Sequence, residues 1–372
     1  MSTAPLDQSR EMKDGDWNEI LASIEREECI LVLGPGAVMA KDGTHLHDNL
    51  AGLIAKELGH PVPDTPDRVF RLTEELTQQR GWRKLLWDMT KKAFADPEPH
   101  ALFQQLTHIP LHLIISTSPD VLLKEAFEKE GIDAEFAYYN YKENPEFSAA
   151  ATRNMPLIFN LFGSIEDEDS MVMTHDSLFD FIFAILSTKR LPLQIKENIL
   201  NAYNFIFLGF DFESWYLKIL MRLFESHKKE ISYAHAWQTN YLQPHTQNFY
   251  TQNFKIDFIS HDVEAFVKEL HKRCEAEGIF RQADPEAAQA SDYDRVVAMV
   301  KQGKIDEAID FLDKFAEESG NNNLFTEVVL LSRRYNSLIG DQNKGIIAKD
   351  DAQLELNQIS NALLEMAGEI KS

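Results

Sequence analysis

A doubly wound α/β domain on a parallel, Rossmann-like sheet, followed by a small all-α domain, is the fold class this sequence predicts. Three observations carry it. Short apolar runs without polar alternation recur between residues 29 and 259, each closed by a polar or glycine-bearing loop. Amphipathic segments of helical period lie between those runs. Beyond residue 290 every segment has helical spacing and the strand-like runs stop.

The first run is Cys29-Ile30-Leu31-Val32-Leu33, ending in Gly34-Pro35-Gly36-Ala37. A strand with no polar face must be covered on both sides, as in a parallel sheet flanked by helices. Glycine at its end lets the backbone turn sharply and approach a ligand. The pattern returns at 111–115, followed by Ser116-Thr117-Ser118-Pro119-Asp120. It returns again at 155–161, followed by Phe162-Gly163-Ser164, and at 205–208, followed by Gly209-Phe210. Residues 121–127 and 177–186 read as intervening helices, and 255–259 as a last strand before a helix over 263–274. In such a sheet a ligand sits outside the carboxyl ends of the strands, where these loops gather.

Domain limits follow from the same pass. Residues 1–15 read as a flexible polar N-terminus, 16–278 as the α/β domain, 279–290 as a polar, alanine-rich linker, and 291–372 as the helical domain. The helical domain divides into segments 292–301, 305–318, 324–338 and 349–370, with breaks at Gly303, at Gly320 with three asparagines, and at Gly340-Asp341.

Composition narrows the function classes. Of 372 residues, 44% are hydrophobic and 26% charged, which suits a folded chain. Asp and Glu number 60 against 37 Lys and Arg, a net charge of −23 that repels phosphate backbones and anionic lipid. Neither direct nucleic-acid binding nor membrane binding is expected. The two cysteines, Cys29 and Cys274, form no CxxC pair, so a structural zinc ribbon is excluded and no metal is expected. With a polar N-terminus and no run long enough to span a bilayer, the expected location is cytoplasmic. No Ser-His-Asp order, HExxH or Walker-type loop is visible.

Four loops in order carry a family resemblance. Gly34-Pro35-Gly36-Ala37 resembles the glycine loop of SIR2-like proteins, and Ser116-Thr117-Ser118-Pro119-Asp120 their Thr-Thr-Asn-x-Asp segment. Leu161-Phe162-Gly163-Ser164 resembles their Leu-His-Gly-Ser, and Leu208-Gly209-Phe210 their late strand and glycine turn. The likeness is to the divergent prokaryotic branch. Residues 330–338, 345–347 and 355–364 resemble an effector-associated helical domain of bacterial conflict systems.

What the resemblance implies is an NAD- or ADP-ribose-binding site at Gly34, Gly36, Ala37, Thr117, Ser118, Asp120, Phe162, Gly163, Ser164 and Gly209. It also implies recruitment of other conflict-system proteins through the C-terminal domain, and a homo-oligomer. The chemistry departs from the family. Ser118 stands at the position of the family's asparagine and Phe162 at that of its histidine, and a phenyl ring cannot take a proton. Asp120 is retained, where it serves either catalysis or the cap of the following helix. His175 is the nearest replacement in sequence, with His45 and His47 as further candidates, while His108 and His112 fall at the wrong end of the sheet. Two readings stand side by side. One is an effector of an antiviral defence system descended from NAD hydrolases. The other is a catalytically inert scaffold or sensor acting through oligomerisation and partner recruitment.

Overall fold

The computed structural model describes residues 11–40, 42–95, 101–142, 151–186, 191–225, 233–237, 242–259, 262–281, 292–301, 305–319, 321–343 and 349–369. The chain divides into two compact units, Met1–Ala283 and Asp284–Ser372.

The first unit is organised by a 7-stranded sheet. Its strands are β1 (Cys29–Leu33), β2 (Leu113–Ser116), β3 (Glu135–Tyr138), β4 (Leu157–Asn160), β5 (Asn204–Leu208), β6 (Tyr233–Trp237) and β7 (Ile256–Ile259). They run in the order β3-β4-β2-β1-β5-β6-β7 with every pairing parallel. In the central register Ile30 lies beside Leu113 on one side and Phe205 on the other.

The apolar runs are explained by two cores, one on each face. Cys29, Leu31 and Leu33 of β1 point into a core closed by α1 (Asp14–Glu25), α2 (Leu46–Leu58), α4 (Trp82–Phe94), α5 (Ala101–His108), α6 (Leu122–Lys129) and α11 (Val263–Ala276). Ile30 and Val32 point into the other core, closed by α7 (His175–Leu186), α8 (Leu193–Asn201), α9 (Leu217–Glu225) and α10 (Pro244–Phe254). Helix α3 (Arg68–Leu76) feeds both, through Leu72 and Leu76 to the first and Phe70 to the second. Each fully buried aliphatic side chain contributes about 1.5–3 kcal/mol, so replacing alternate strand residues by polar ones would remove one whole face. The core also takes in both cysteines. Burial pushes the Cys29 and Cys274 thiols up to about 12, which makes them inert.

Two strands were not expected from the sequence. β3 lies at the sheet edge and all four of its residues are half-buried, so it carries no continuous apolar run. β6 reads Tyr-Ala-His-Ala-Trp, with small and polar residues where the other inner strands carry branched aliphatics and phenylalanines. Its pairing with β5 and β7 through backbone groups makes it a strand. At the N-terminus, α1 takes in Asp14 and Gly15, which the sequence places in the tail. Residues 1–10 of that tail lie outside the described residues. The apolar end of α7 divides: Phe181 and Ile185 are core, whereas Phe183 is 76% exposed.

The linker expected at 279–290 begins later. Phe280 stacks on His108 at 5.1 Å, and Arg281 is buried. The Arg281 guanidinium donates to the carbonyls of Arg153 at 2.8 Å, Thr107 at 2.8 Å and Leu111 at 2.6 Å, and its amide donates to His108 O at 2.8 Å. Burial lowers its pKa to about 9. This one side chain joins the end of α5, the entry to β2 and the approach to β4. Residues 282–290 of the expected linker lie outside the described residues.

The second unit contains α12 (Asp292–Lys301), α13 (Ile305–Ser319), α14 (Asn322–Asn343) and α15 (Lys349–Glu369). Val296, Leu312, Leu324, Val328, Ile359 and Leu363 are at the centre of its core. Gly340-Asp341 does not break the chain: both residues are inside α14, because one glycine costs a helix only about 1 kcal/mol and packing offsets it. Arg334 bridges α14 to α15 by donating to Glu355 at 3.0 Å and to Gln358. Among the described residues no helix is long and apolar enough to cross a membrane.

Arg281→Met should strand three buried carbonyls and lower the stability of the first unit by about 3 kcal/mol. Arg281→Lys should recover only part of it, since an ammonium lacks the planar fork. All five tryptophans lie in that unit, so urea unfolding followed by tryptophan fluorescence reads the change.

Candidate functional site

The sheet changes winding direction between β1 and β5. From β1 the chain moves to β2 and onward to β4 and β3, and from β5 to β6 and β7 on the other side. Such a switch point opens a crevice at the carboxyl ends of the strands. Here the two loops that flank it interlock. Gly34 N–H donates to Leu208 O at 2.7 Å and Gly36 N–H to Gly209 O at 2.8 Å. A Cβ on Gly34 would lie 2.5 Å from Gly209 O, and one on Gly209 would lie 2.1 Å from Ala37 N. Gly209 also has φ +73°, a left-handed conformation that favours glycine. Ala37 N–H is taken by Gly34 O at 3.0 Å, and proline has no N–H. The amides of the glycine loop are therefore used by the protein, and a phosphate beside it would depend on side chains.

The loop after β2 brings the polar groups. Thr117 N–H donates to Leu33 O at 2.9 Å, fastening this loop to the end of β1. Ser118 is fully buried, and its Oγ lies 3.0 Å from Nε2 of His47, which comes from the first turn of α2. Asp120 is buried beside it. Burial raises the pKa of its carboxyl, opposed by the Ser118 hydroxyl and the Leu122 amide. Asp120 Oδ1 accepts the Leu122 N–H at 3.0 Å, an Asx turn one residue before Val121, which is the N-cap of α6. Asn160, the last residue of β4, donates to Asp120 O at 2.7 Å and holds the loop from the other side.

After β4 the chain places Phe162 in an apolar setting. It is 3% exposed, with ring centroids 5.2 Å from Phe181 and 6.2 Å from Tyr216. Gly163, at φ +84°, turns the backbone where a Cβ would sit 2.3 Å from Ser170 O. Ser164 is fully buried, its Oγ accepts Glu166 N–H at 3.1 Å, and its own amide N–H donates to Ser170 Oγ at 3.0 Å. The acidic run that follows is tied down, with Glu166 against Lys124 at 3.3 Å and Asp169 against Lys142 at 2.6 Å. The loop after β5 adds Asp211, whose carboxyl pKa is raised by burial, and the buried Tyr216.

The histidines separate clearly. His47 is the one the structure brings to Ser118; burial lowers its pKa to about 4, and Phe94 meets it edge-on at 5.2 Å. His45 is exposed at the start of α2. His175 opens α7 between Asp67 at 3.9 Å and Glu74 at 3.7 Å, stacked on Phe70 at 5.8 Å. It is linked to Phe162 indirectly, through the rings of Phe70 or Trp215 and then Tyr216. His108 and His112 lie before β2, at the amino end of the sheet, as expected. Arg68, at the start of α3, is a cation that acts on both His47 and Asp211, and pairs with Asp48 at 3.4 Å. The sequence offered no signal for Arg68 or for the Ser118–His47 contact, because 71 residues separate the latter pair.

A parallel doubly wound sheet whose carboxyl-end loops converge on buried polar groups defines a Rossmann-like class of α/β domain. Family models agree and are more specific. Residues 112–259 match the SIR2-like domain, and residues 291–371 match Effector-associated domain 11. The chain thus joins a SIR2-like domain to an effector-associated domain. SIR2-like domains generally bind NAD, and the pairing suggests an effector of a multi-component conflict system. No curated protein matches the chain.

Two outcomes follow. Gly209→Ala should prevent stable folding, since a Cβ meets backbone and the φ is left-handed, whereas Gly52→Ala, in the open on α2, should raise stability by about 0.5–1 kcal/mol. Thermal unfolding of the two variants distinguishes loop packing from a general effect of adding a methyl group. Burial also lowers the His112 pKa from 6.5 to about 4. The unfolded chain then binds the proton first, so the His112 contribution is fully present above 6.5 and is lost as pH falls toward about 4. His112→Gln should lose less stability than the wild type across that window in urea titrations.

Proposed function

We propose that this protein is a SIR2-like effector of a conflict system that binds NAD or ADP-ribose in the crevice above β1, β2, β4 and β5. The helical domain would serve to recruit its partners. The observation that carries the reading is the convergence of Ser118, Asp120 and His47 beside the β1–β5 switch point. Hydroxyl, carboxylate and imidazole groups side by side suit the hydroxyls of a ribose. With the glycine-loop amides engaged, Arg68 is the group to meet phosphate charge.

One observation favours the second reading, that of an inert binder or scaffold. Phe162 packs among aromatic rings where the family carries its histidine, so the inherited base is gone.

Calorimetry on the full chain should detect both NAD and ADP-ribose, and Arg68→Ala should weaken both by about tenfold, the loss of one charge-assisted contact. Absence of binding by either ligand overturns the proposal. Installing histidine at Phe162 and asparagine at Ser118 should not create or raise NAD consumption. An imidazole at 162 would be buried against Phe181 and Tyr216, at a cost of about 1–3 kcal/mol, and a longer side chain at 118 would collide with His47. NAD consumption gained by that double variant would show instead that the ancestral arrangement still fits.

A further inference from the structure

We infer that α7 is a pairing surface for a second copy of this chain, the two copies meeting antiparallel along Phe179, Phe183 and Leu186 with α8 beside them. The pairing is independent of what the crevice binds.

Helix α7 is apolar on two sides. Leu178, Phe181 and Ile185 belong to the core that α8 also covers, and they anchor the helix to the sheet. Phe179, Phe183 and Leu186 are each more than half exposed on the outward side. A helix with apolar residues all round is suited to burial on every side, and here one side is open among the described residues. The outward residues are spaced four and three apart, the seam by which one helix packs along another. Helix α8 adds exposed Leu193 and Leu200, seven apart and therefore on one face. Five of the eight large apolar side chains exposed among the described residues thus fall on two consecutive helices, a concentration that marks an interaction face.

The size of the face suits a specific pair. At roughly 150–200 Å² for a large apolar side chain laid bare, the five leave about 500 Å² uncovered. One partner's share of a standard interface is about 800 Å², a little over half of it apolar, or about 450 Å². The exposed side chains of α7 and α8 therefore supply the apolar part of one complete side.

Charge selects a copy over an unlike protein. The chain carries a net −23, so an unlike partner steered to it would bring basic groups and seek carboxylates. From Phe181 to Leu186 the helix offers none; Asp176 and Asp180 lie in its first half. Antiparallel pairing about a two-fold axis sets each acidic half against the uncharged half of the other helix and brings Phe183, in the middle of the seam, onto its own copy. A parallel pair would place like charges face to face. The same helix holds Phe181 against Phe162 at 5.2 Å and opens with His175, so pairing through α7 steadies the aromatic wall of the candidate site.

The test uses the full chain in sedimentation velocity. The wild type should be a dimer or a multiple of one, and added salt should tighten the contact, since it screens repulsion between copies of net −23 but would loosen a charge-steered complex. Phe183→Glu should weaken the contact at least about 100-fold and halve the mass while leaving the circular dichroism unchanged, because the side chain is exposed within one copy. Leu186→Glu should do the same, which guards against a folding defect peculiar to position 183. Phe183→Cys should cross-link to its own copy on mild oxidation, the native Cys29 and Cys274 being buried, and Val62→Cys, exposed elsewhere, should stay unlinked. A wild-type monomer, or an odd number of copies, overturns the pairing and gives the face to another occupant, the helical unit of the same chain or a second protein. An assembly whose mass survives both glutamate variants overturns it too, as does Val62→Cys cross-linking as readily as Phe183→Cys.

Discussion

The contact between the loops after β1 and β5 is the constraint on which the site depends. Backbone meets backbone there with no room for a side-chain atom, and two hydrogen bonds hold Gly34 and Gly36 to Leu208 and Gly209. Parallel strands present their carboxyl ends at one edge, and at a switch point the adjoining loops turn away from each other. In this protein they turn into each other instead. The floor of the crevice is thereby closed by protein amides and carbonyls, which transfers its polar groups from the glycine loop to side chains on α2, α3 and the β2 loop.

That transfer explains why the polar centre is where it is. Thr117 and Asn160 hold the β2 loop between β1 and β4, so Ser118 and Asp120 face inward with little freedom. Helix α2 follows the interlocked loop after a short bridge between Met39 and His45, which sets its first turn over the same place. A histidine two residues into that helix reaches Ser118 without strain. On the β4 side, Phe162 completes an aromatic wall with Phe181 and Tyr216 and belongs to the core.

The amino end of the sheet is organised differently. There, Arg281 spends its guanidinium on three carbonyls, a buried charge with no carboxylate partner among them. Its pKa is lowered by burial, yet it remains within the range of a charged group. The last turn of the first unit is thus fastened to the strand entries, which makes residue 281 part of that unit and leaves the helical unit to follow from Asp284. Within that second unit the Arg334 bridge and a continuous aliphatic core hold the helices together.

Much of the fold was legible in the sequence because the central strands are buried on both faces. Only continuous apolar residues satisfy that condition, so β1, β2, β4, β5 and β7 announce themselves, as do the four amphipathic helices beyond residue 290. β3 and β6 did not, since an edge strand is half-solvated and an inner strand of alanine and histidine owes its state to backbone pairing with its neighbours. For the site, the sequence by itself determined which loops gather, that Ser118 and Phe162 depart from the family pattern, and that Asp120 stays. It could not decide which histidine faces them. His175 is closer to the altered motif along the chain, but His47, 71 residues before Ser118, makes the contact. Hydrogen bonds act over about 3 Å of space regardless of chain separation. Only the packing of α2 over the interlocked loops of β1 and β5 brings that imidazole within reach.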